Sequence, residues 1–320
     1  MTEKALCRVK KPGLFTTIQD AGRTGWQKKG IPPAGVMDEY AFKMANFLVG
    51  NEGQEAVLEI TMLGPVLRFT QAAVMAVTGG DLQPLLNNKK TEMWHSFLVK
   101  EGDELSFAGV KSGARAYIAV QGGFAGNEVL GSKSTYTKAG IGGMEGRALQ
   151  ADDILTGLSP LSELKRCAWL ESTLIPSYRQ KTLLRVTEGP EADAFSRDGL
   201  YTFYTRSFRV ANESDRMGCR LQGPPVAHVK QADILSDAVD FGTIQVAADG
   251  CPMILMADRQ TTGGYTRIAS VIQVDLPKAA QLLPGHEVTF QKVSVARAHY
   301  LLKEQRKQLA SIALASMNML

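Results

Sequence analysis

Short apolar runs of four or five residues, each closed by Gly, Pro, Asp or Asn, recur along almost all of this 320-residue sequence. Runs of that length and punctuation read as strands. The spacing predicts strands at Val66–Phe69, Ala73–Val77, Ser96–Val99, Ala116–Val120, Leu183–Thr187, Ile244–Ala247, Met253–Ala257, Val271–Val274 and Val288–Gln291. No regular strand–helix alternation accompanies them, which argues against a doubly wound parallel sheet. Gly supplies 31 residues, above the roughly 7% of ordinary chains, so tight turns are plentiful. Antiparallel, barrel-like domains are the architecture this predicts, in a mainly β (β-rich α+β) chain.

Two segments instead carry helical periodicity. In Met37–Val49, the residues Met37, Ala41, Met44, Ala45 and Leu48 share one face, and Gly50–Asn51 follows as a stop. Val295–Ala315 carries Ala298, Leu301, Leu302, Leu309 and Ile312 as its stripe and is expected as a C-terminal helix. A Gly-Pro step (Gly64-Pro65, Gly223-Pro224) and a strand running into Gly-Gly-aromatic (Gly122–Phe124, Gly263–Tyr265) occur once in each half, suggesting a repeat. Ser159–Lys181, polar with Pro160 and Pro176, reads as the linker. The expected domains are 1–175 and 181–295, with the helix at 296–320.

At 44% hydrophobic and 21% charged, the chain can bury a real core and is not disordered. Thirty-six basic residues face 32 acidic ones and are scattered, giving no nucleic-acid patch. No 18-residue apolar run is present, and MTEKALCRVKKPG has no apolar stretch like that of a secretory leader. A cytoplasmic protein with no membrane contact is expected. Cys7, Cys167, Cys219 and Cys251 are far apart, and His95, His228, His286 and His299 lack ligand spacing, so no metal site is expected. Gly126–Ser134 misses the phosphate-loop pattern because Lys133 stands one place late.

Four polar, Gly-rich segments concentrate functional groups: Pro12–Asp38, Leu130–Arg147, Asn212–Pro225 and Ala257–Ala269. Glycines let backbone N–H groups approach a ligand, and Arg offers a bidentate fork to carboxylate or phosphate. Such loops suit anion or carboxamide recognition. The alternative is turn-rich connection held by local Asx and hydroxyl turns.

These segments carry a family resemblance. PGLFTTIQDAGRTGWQKKGIPPAGVMD and the helix ending ANFLVGN resemble the opening of the C subunit of bacterial 5-oxoprolinase, the KipA or allophanate hydrolase subunit 2 family. That family is related to the carboxyltransferase domain of urea carboxylase. LEITMLGP, AVTGGDL, AYIAVQGG, LGSKST, SDRMGCRLQGP, IQVAADGCP and MADRQTTGGY follow in the family's order across residues 8–292. AADG at Ala247–Gly250 and Lys133 before Ser134 depart from its commoner residues.

The resemblance implies two tandem cyclophilin-like β-barrel domains and a C-terminal helix. It implies an ATP-dependent 5-oxoprolinase, opening 5-oxoproline to L-glutamate, whose partners are a KipI-like B subunit and a LamB/YcsF-type A subunit. A lactam is a poor electrophile, and phosphorylating its oxygen with ATP (with Mg) would activate it. Such chemistry needs cations over phosphoryl oxygens and positioned donors. The expected catalytic residues are Asp215, Arg216 and Arg259. The Arg pair would hold phosphate or substrate carboxylate, and Asp215 would orient Arg216 or act as base. Gln245, Gln260, Thr261 and Tyr265 would line the pocket, with Arg23 and Asp38 completing it. Alternatively Asp215–Arg216 and Asp258–Arg259 are loop-bracing ion pairs. Two other readings are a carboxyltransferase-like subunit of a urea or allophanate pathway, served by biotin on another chain, and a non-enzymatic KipA-type antagonist of a histidine-kinase inhibitor. No Met-Lys-Met-like hairpin tip is present, so biotin is not expected to be bound covalently by this chain.

Overall fold

The computed structural model describes residues 3–158, 167–229 and 231–317. It is mainly β, with a closed barrel, further sheets and a C-terminal helix, as the strand-and-turn pattern predicts. The chain divides into two units: Met1–Arg23 with Ala34–Ser177 and Gln308–Leu320, and Thr24–Pro33 with Tyr178–Lys307.

The first unit contains β1 (Glu3–Lys11), β2 (Phe15–Gln19), α1 (Glu39–Leu48), β3 (Val57–Thr61), β4 (Val66–Phe69), β5 (Ala73–Asp81), β6 (Pro84–Leu86) and β7 (Lys89–Lys90). It continues with β8 (Ser96–Val99), β9 (Glu104–Phe107), β10 (Ser112–Val120) and β11 (Ile154–Leu158). They form a six-stranded sheet, β11-β1-β4-β9-β6-β7, and a five-stranded sheet, β2-β3-β10-β5-β8. The period-2 alternation of strands sorts their side chains. Met75 and Val77 of β5 and Ile118 and Val120 of β10 join Leu6, Val9, Leu67 and Phe69 of the other sheet in one core. The intervening Val74, Ala76, Tyr117 and Ala119 face a second cluster with Ala41, Met44, Ala45 and Leu48 of α1. These four are helix-stripe residues expected from the sequence. Helix α1 starts at Asp38, whose carboxylate accepts the Ala41 N–H at 2.9 Å, and Gly50 takes the left-handed conformation just past its end.

Of the expected linker, 159–166 lies outside the described residues. The part that follows is not a free connection. Ala168 and Leu170 are buried in the α1 cluster, and Ser96 N–H donates to Ala168 O at 2.8 Å.

The second unit contains β12 (Lys181–Glu188), α2 (Arg197–Thr205), β13 (Phe208–Val210), β14 (Gly218–Gln222), β15 (Asp233–Ala238), β16 (Thr243–Val246) and β17 (Pro252–Leu255). Then come β18 (Thr262–Val271), α3 (Leu276–Ala280), β19 (Glu287–Lys292) and the start of α4 (Val295–Met317). The order β12-β19-β13-β14-β17-β16-β18 closes through β12–β18 pairing, and β15 is attached outside the ring on β18. Phe203 of α2 stacks on Phe290 of β19 at 4.4 Å between centroids, fixing α2 on the barrel. From Gln308 onward α4 belongs to the first unit, where Leu309, Ile312 and Ala313 pack on the α1 cluster.

Two expectations are corrected. Val271–Val274 is not a strand: β18 ends at Val271 and Gln273–Asp275 forms a 3-10 turn. The Gly-Gly repeat is not structural either. Gly122 and Gly123 make a left-handed turn after β10, whereas Gly263 and Gly264 lie inside β18.

Candidate functional site

In the second unit the ends of β14, β17 and β18 gather most of the expected residues. Past the ends of β14 and β17, the ladder continues: Met256 N–H donates to Met217 O and Asp258 N–H to Arg216 O, both at 2.8 Å. This register sets the side chain of Asp258 against Arg216. Arg216 Nε and Nη2 each donate to one Asp258 oxygen at 2.9 Å, a bidentate pair that is almost fully buried. Asp215, adjacent in sequence, has a different task. Its Oδ1 accepts the N–H groups of Met217 (2.7 Å) and Gly218 (3.1 Å), which makes an Asx turn. The expectation that Asp215 orients Arg216 is therefore corrected: Asp258, across the strand pair, does so.

Arg259 is buried to 5% exposure. Its Nε donates to Val239 O at 3.2 Å, and its Nη1 reaches Met256 O at 3.5 Å. Among the described residues the carboxylate that approaches it is Asp240, at 3.9 Å, with a side chain 91% exposed. Burial pulls the guanidinium below its ordinary pKa, and Asp240 offsets part of this. A guanidinium remains charged in proteins, so this is a buried cation whose bidentate fork is not spent on an acid. Val239 also donates its N–H to Thr261 O at 3.2 Å, so one residue tethers both Arg259 and Thr261.

Gln245 on β16 is 1% exposed; its Nε2 donates to Tyr265 O at 3.1 Å, and its Oε1 is buried with no partner among the described residues. A Cβ at Gly263 would stand 2.3 Å from Gln245 Nε2, so glycine there is what lets β18 lie against the carboxamide. Gln260 is exposed, Thr261 half-buried, and Tyr265 40% exposed. The arrangement offers a buried cation and a buried amide acceptor on neighbouring strands and turns.

Sequence reasoning missed the network that holds this face. Arg267 of β18 donates from Nε to Glu191 at 2.7 Å and from Nη1 to Ala238 O at 2.8 Å, with Nη2 at 2.9 Å from Asp237. These partners are far apart in sequence, so only the register reveals them.

Arg23 and Asp38 belong to the first unit, not the second. Arg23 is 1% exposed and donates from Nε to Val129 O at 3.4 Å and from Nη2 to Ser134 O. Asp38 is fully buried and caps α1. Its N–H donates to Tyr117 Oη at 2.8 Å, and that hydroxyl donates to Glu59 at 2.9 Å. Burial, then Glu59 and Asp38, push the Tyr117 phenol far up. In the LGSKST segment, Asp20 accepts the hydroxyls of Ser132 and Ser134 and the N–H of Lys133, all at 2.6 Å. The backbone donor a phosphate cradle would use at Lys133 is thus already taken.

A barrel of this kind with these segments defines a class. Residues 29–292 match the family described as carboxyltransferase domain, subdomain A and B, and the chain belongs to it. Within that class it is 36% identical over 297 residues to the C subunit of 5-oxoprolinase from Haemophilus influenzae, covering 92% of this chain and 94% of that one. It is 33% identical over 308 residues to the C subunit of 5-oxoprolinase from Escherichia coli, covering 96% and 98%. The resemblance read from the sequence segments is borne out. Among solved structures, the urea amidolyase of K. lactis superposes with a TM-score of 0.91 at 32% identity, covering 98% of this chain and 20% of that one.

Proposed function

We propose that this chain is the C subunit of an ATP-dependent 5-oxoprolinase, opening 5-oxoproline to L-glutamate together with a KipI-like B subunit and a LamB/YcsF-type A subunit. The carrying observation is Arg259, a buried cation with its fork not committed to an acid, in the MADRQTTGGY segment. In this reading Arg259 holds an oxyanion, either the carboxylate of 5-oxoproline or a phosphoryl oxygen delivered by ATP with its Mg. Either fits a guanidinium in a low-dielectric setting. Gln245 Oε1 accepts an N–H, which the lactam of 5-oxoproline carries. Arg216 spends Nε and Nη2 on Asp258, so its part is to brace the strand end that leads into Arg259. Gln260, Thr261 and Tyr265 shape the rim, and Arg23 and Asp38 support loops of the first unit. Relatives named as the C subunit of 5-oxoprolinase, 36% and 33% identical, support this reading.

The test is turnover by the reconstituted three-subunit complex. Charge-assisted bonds are worth about 1.5–3 kcal/mol, so Arg259→Ala should cost roughly 10–150-fold in 5-oxoproline-dependent ATP hydrolysis. Arg259→Lys should recover part of the loss. Full turnover by Arg259→Ala would remove Arg259 from the site. A second reading rests on the urea amidolyase superposition: a carboxyltransferase-like subunit receiving carboxybiotin from another chain. Biotin-dependent carboxyl transfer in place of 5-oxoproline turnover would establish it.

A further inference from the structure

Arg259 presents its donors unevenly. Nε and Nη1 are directed at two backbone carbonyls, Val239 O at 3.2 Å and Met256 O at 3.5 Å. Nη2 is the nitrogen that approaches Asp240, whose side chain is 91% exposed. The 3.9 Å between them is too long for a hydrogen bond, so the two charges attract without being locked together. Because that carboxylate stands in solvent, Nη2 marks the side of the guanidinium from which a ligand can come.

Asp240 is fixed at this position by its backbone. Its N–H donates to Thr243 Oγ1 and its carbonyl accepts the Thr243 N–H, both at 3.1 Å, and Thr243 is buried. The preceding Val239 is tied on both sides, to Arg259 through its carbonyl and to Thr261 O through its N–H at 3.2 Å. The turn closes at Gly242, which has a left-handed φ of 90° and where a Cβ would stand 2.6 Å from Leu276. A rigid turn thus keeps an acid beside the outward edge of the buried cation.

The other arginines of this face are committed. Arg267 serves Glu191, Asp237 and Ala238 O, and Arg216 gives two donors to Asp258. A phosphoryl site gathers several cations or backbone donors over its oxygens. Here one guanidinium edge faces outward, with an acid next to it. A lone guanidinium attracts a pyrophosphate more strongly than a carboxylate, because Coulomb energy scales with the charge of the ligand. The repulsion from Asp240 scales in the same way and offsets that advantage. What is left is the direct bond to Nη2, which a carboxylate oxygen makes as well as a phosphate oxygen does.

We infer that Asp240 is a specificity-determining residue of this site: it restricts Arg259 to ligands bearing a single carboxylate and keeps phosphate groups away. Asp240 has this role only if Arg259 is the oxyanion holder proposed above. Given that, the carboxylate of 5-oxoproline goes to Arg259, and the phosphoryl groups of ATP bind elsewhere. Selectivity here comes from a repulsive element, not from an added contact.

The first measurement is steady-state kinetics of the reconstituted three-subunit complex. Asp240→Asn should lower KM for 5-oxoproline about three- to tenfold, change kcat by less, and leave KM for ATP where it was. Asp240→Glu should restore the unaltered values. The second is calorimetry of the full chain with 5-oxoproline and with inorganic pyrophosphate. The unaltered chain should prefer 5-oxoproline, and Asp240→Asn should shift the preference toward pyrophosphate by roughly threefold or more. Melting temperatures of the Asp240 variants should stay within about 2 °C of the unaltered chain, since an exposed charge of this kind contributes little to stability. If Asp240→Asn moves KM for ATP in place of KM for 5-oxoproline, phosphate is on Arg259 and the inference is overturned. Pyrophosphate binding the unaltered chain more tightly than 5-oxoproline overturns it, and so does failure of 5-oxoproline to bind that chain. Turnover separates the two proposals. Arg259→Ala inactive, with Asp240→Asn indistinguishable from the unaltered complex, removes Asp240 from this role and leaves the function. A complex without 5-oxoproline turnover, whose C chain still shows the Asp240-dependent preference, sinks the function and leaves the site.

Discussion

Removing Asp258 should damage this protein more than any exposed acid would. Its carboxylate receives two parallel bonds from Arg216 at 2.9 Å, and the side chains are 7% and 8% exposed. Asp258→Ala takes that carboxylate away and leaves the guanidinium in a low-dielectric site. Breaking one side of a buried pair costs about 3–5 kcal/mol, whereas replacing both sides with apolar groups of similar size is often neutral. At about 2–4 °C per kcal/mol for a domain of this order, the melting temperature should fall by roughly 6–20 °C. Scanning calorimetry of the isolated chain reads this directly. The control is Arg216→Met with Asp258→Leu, which removes the charge along with its partner and should melt well above Asp258→Ala alone. A single variant within about 2 °C of the unaltered chain would show that the pair is not desolvated as its burial indicates. A double variant no better than the single would locate the cost in packing, not in the stranded charge.

Other outcomes follow from the same geometry. Gly263→Ala places a Cβ 2.3 Å from Gln245 Nε2 and should break its bond to Tyr265 O, costing about 1–3 kcal/mol in urea unfolding. Gln245→Ala added to it should restore part of that loss, and an unperturbed Gly263→Ala would mean that Gln245 is not held in place. On the alkaline side, burial pushes the Cys7 thiol up to about 12 from 9.0, and burial followed by Asp38 pushes the Tyr40 phenol up to about 12 from 10.0. The folded chain keeps these protons while the unfolded chain releases them. Their stabilisation is therefore complete below pH 9 and declines as pH rises toward 12, by up to about 1.4 kcal/mol per pH unit for each group. Cys7→Ala should make the decline of the urea midpoint above pH 9 shallower; an unchanged slope would place the proton release elsewhere.

What was legible in the sequence is what local pattern determines. Ser96–Val99 and Val66–Phe69 match their strands end to end, because each is a short, mostly apolar run with turn residues on one side, Gly102-Asp103 after the first and Gly64-Pro65 before the second. Helix α1 was legible because a core-facing stripe and its Asp38 cap both lie within one stretch of chain. Strand β15 was not, because an exposed edge has no buried face to impose alternation. The strand expected at Val271–Val274 fails for a long-range reason. Asp275, fully buried, receives Arg185 N–H, Nε and Nη2 at 2.7–2.9 Å, and the chain must turn after Ile272 to deliver it. The same limit governs the candidate site. Adjacency in sequence pairs Asp215 with Arg216; the β14–β17 register pairs Arg216 with Asp258 and so leaves Arg259 as the cation with its fork uncommitted to an acid.

The recurrence that does survive in three dimensions is Thr-Ile-Gln, at Thr17–Gln19 in β2 and Thr243–Gln245 in β16. In both, the glutamine is buried and its Nε2 donates to the carbonyl of a neighbouring segment at 3.1 Å, Thr135 in one unit and Tyr265 in the other. In both, Oε1 is buried with no partner among the described residues. A lone buried acceptor of this kind costs about 1–3 kcal/mol, so keeping the same one in each unit argues that the carboxamide serves more than packing. The units differ in what stands nearby. Gln19 has Thr17 Oγ1 as a second acceptor for its Nε2, whereas Gln245 is closed over by Gly263 on the strand next to the Arg259 turn. Matching strands thus give a glutamine braced by Thr17 in one unit and, in the other, one held to Tyr265 O beneath Gly263, in the unit that also holds Arg216 and Arg259.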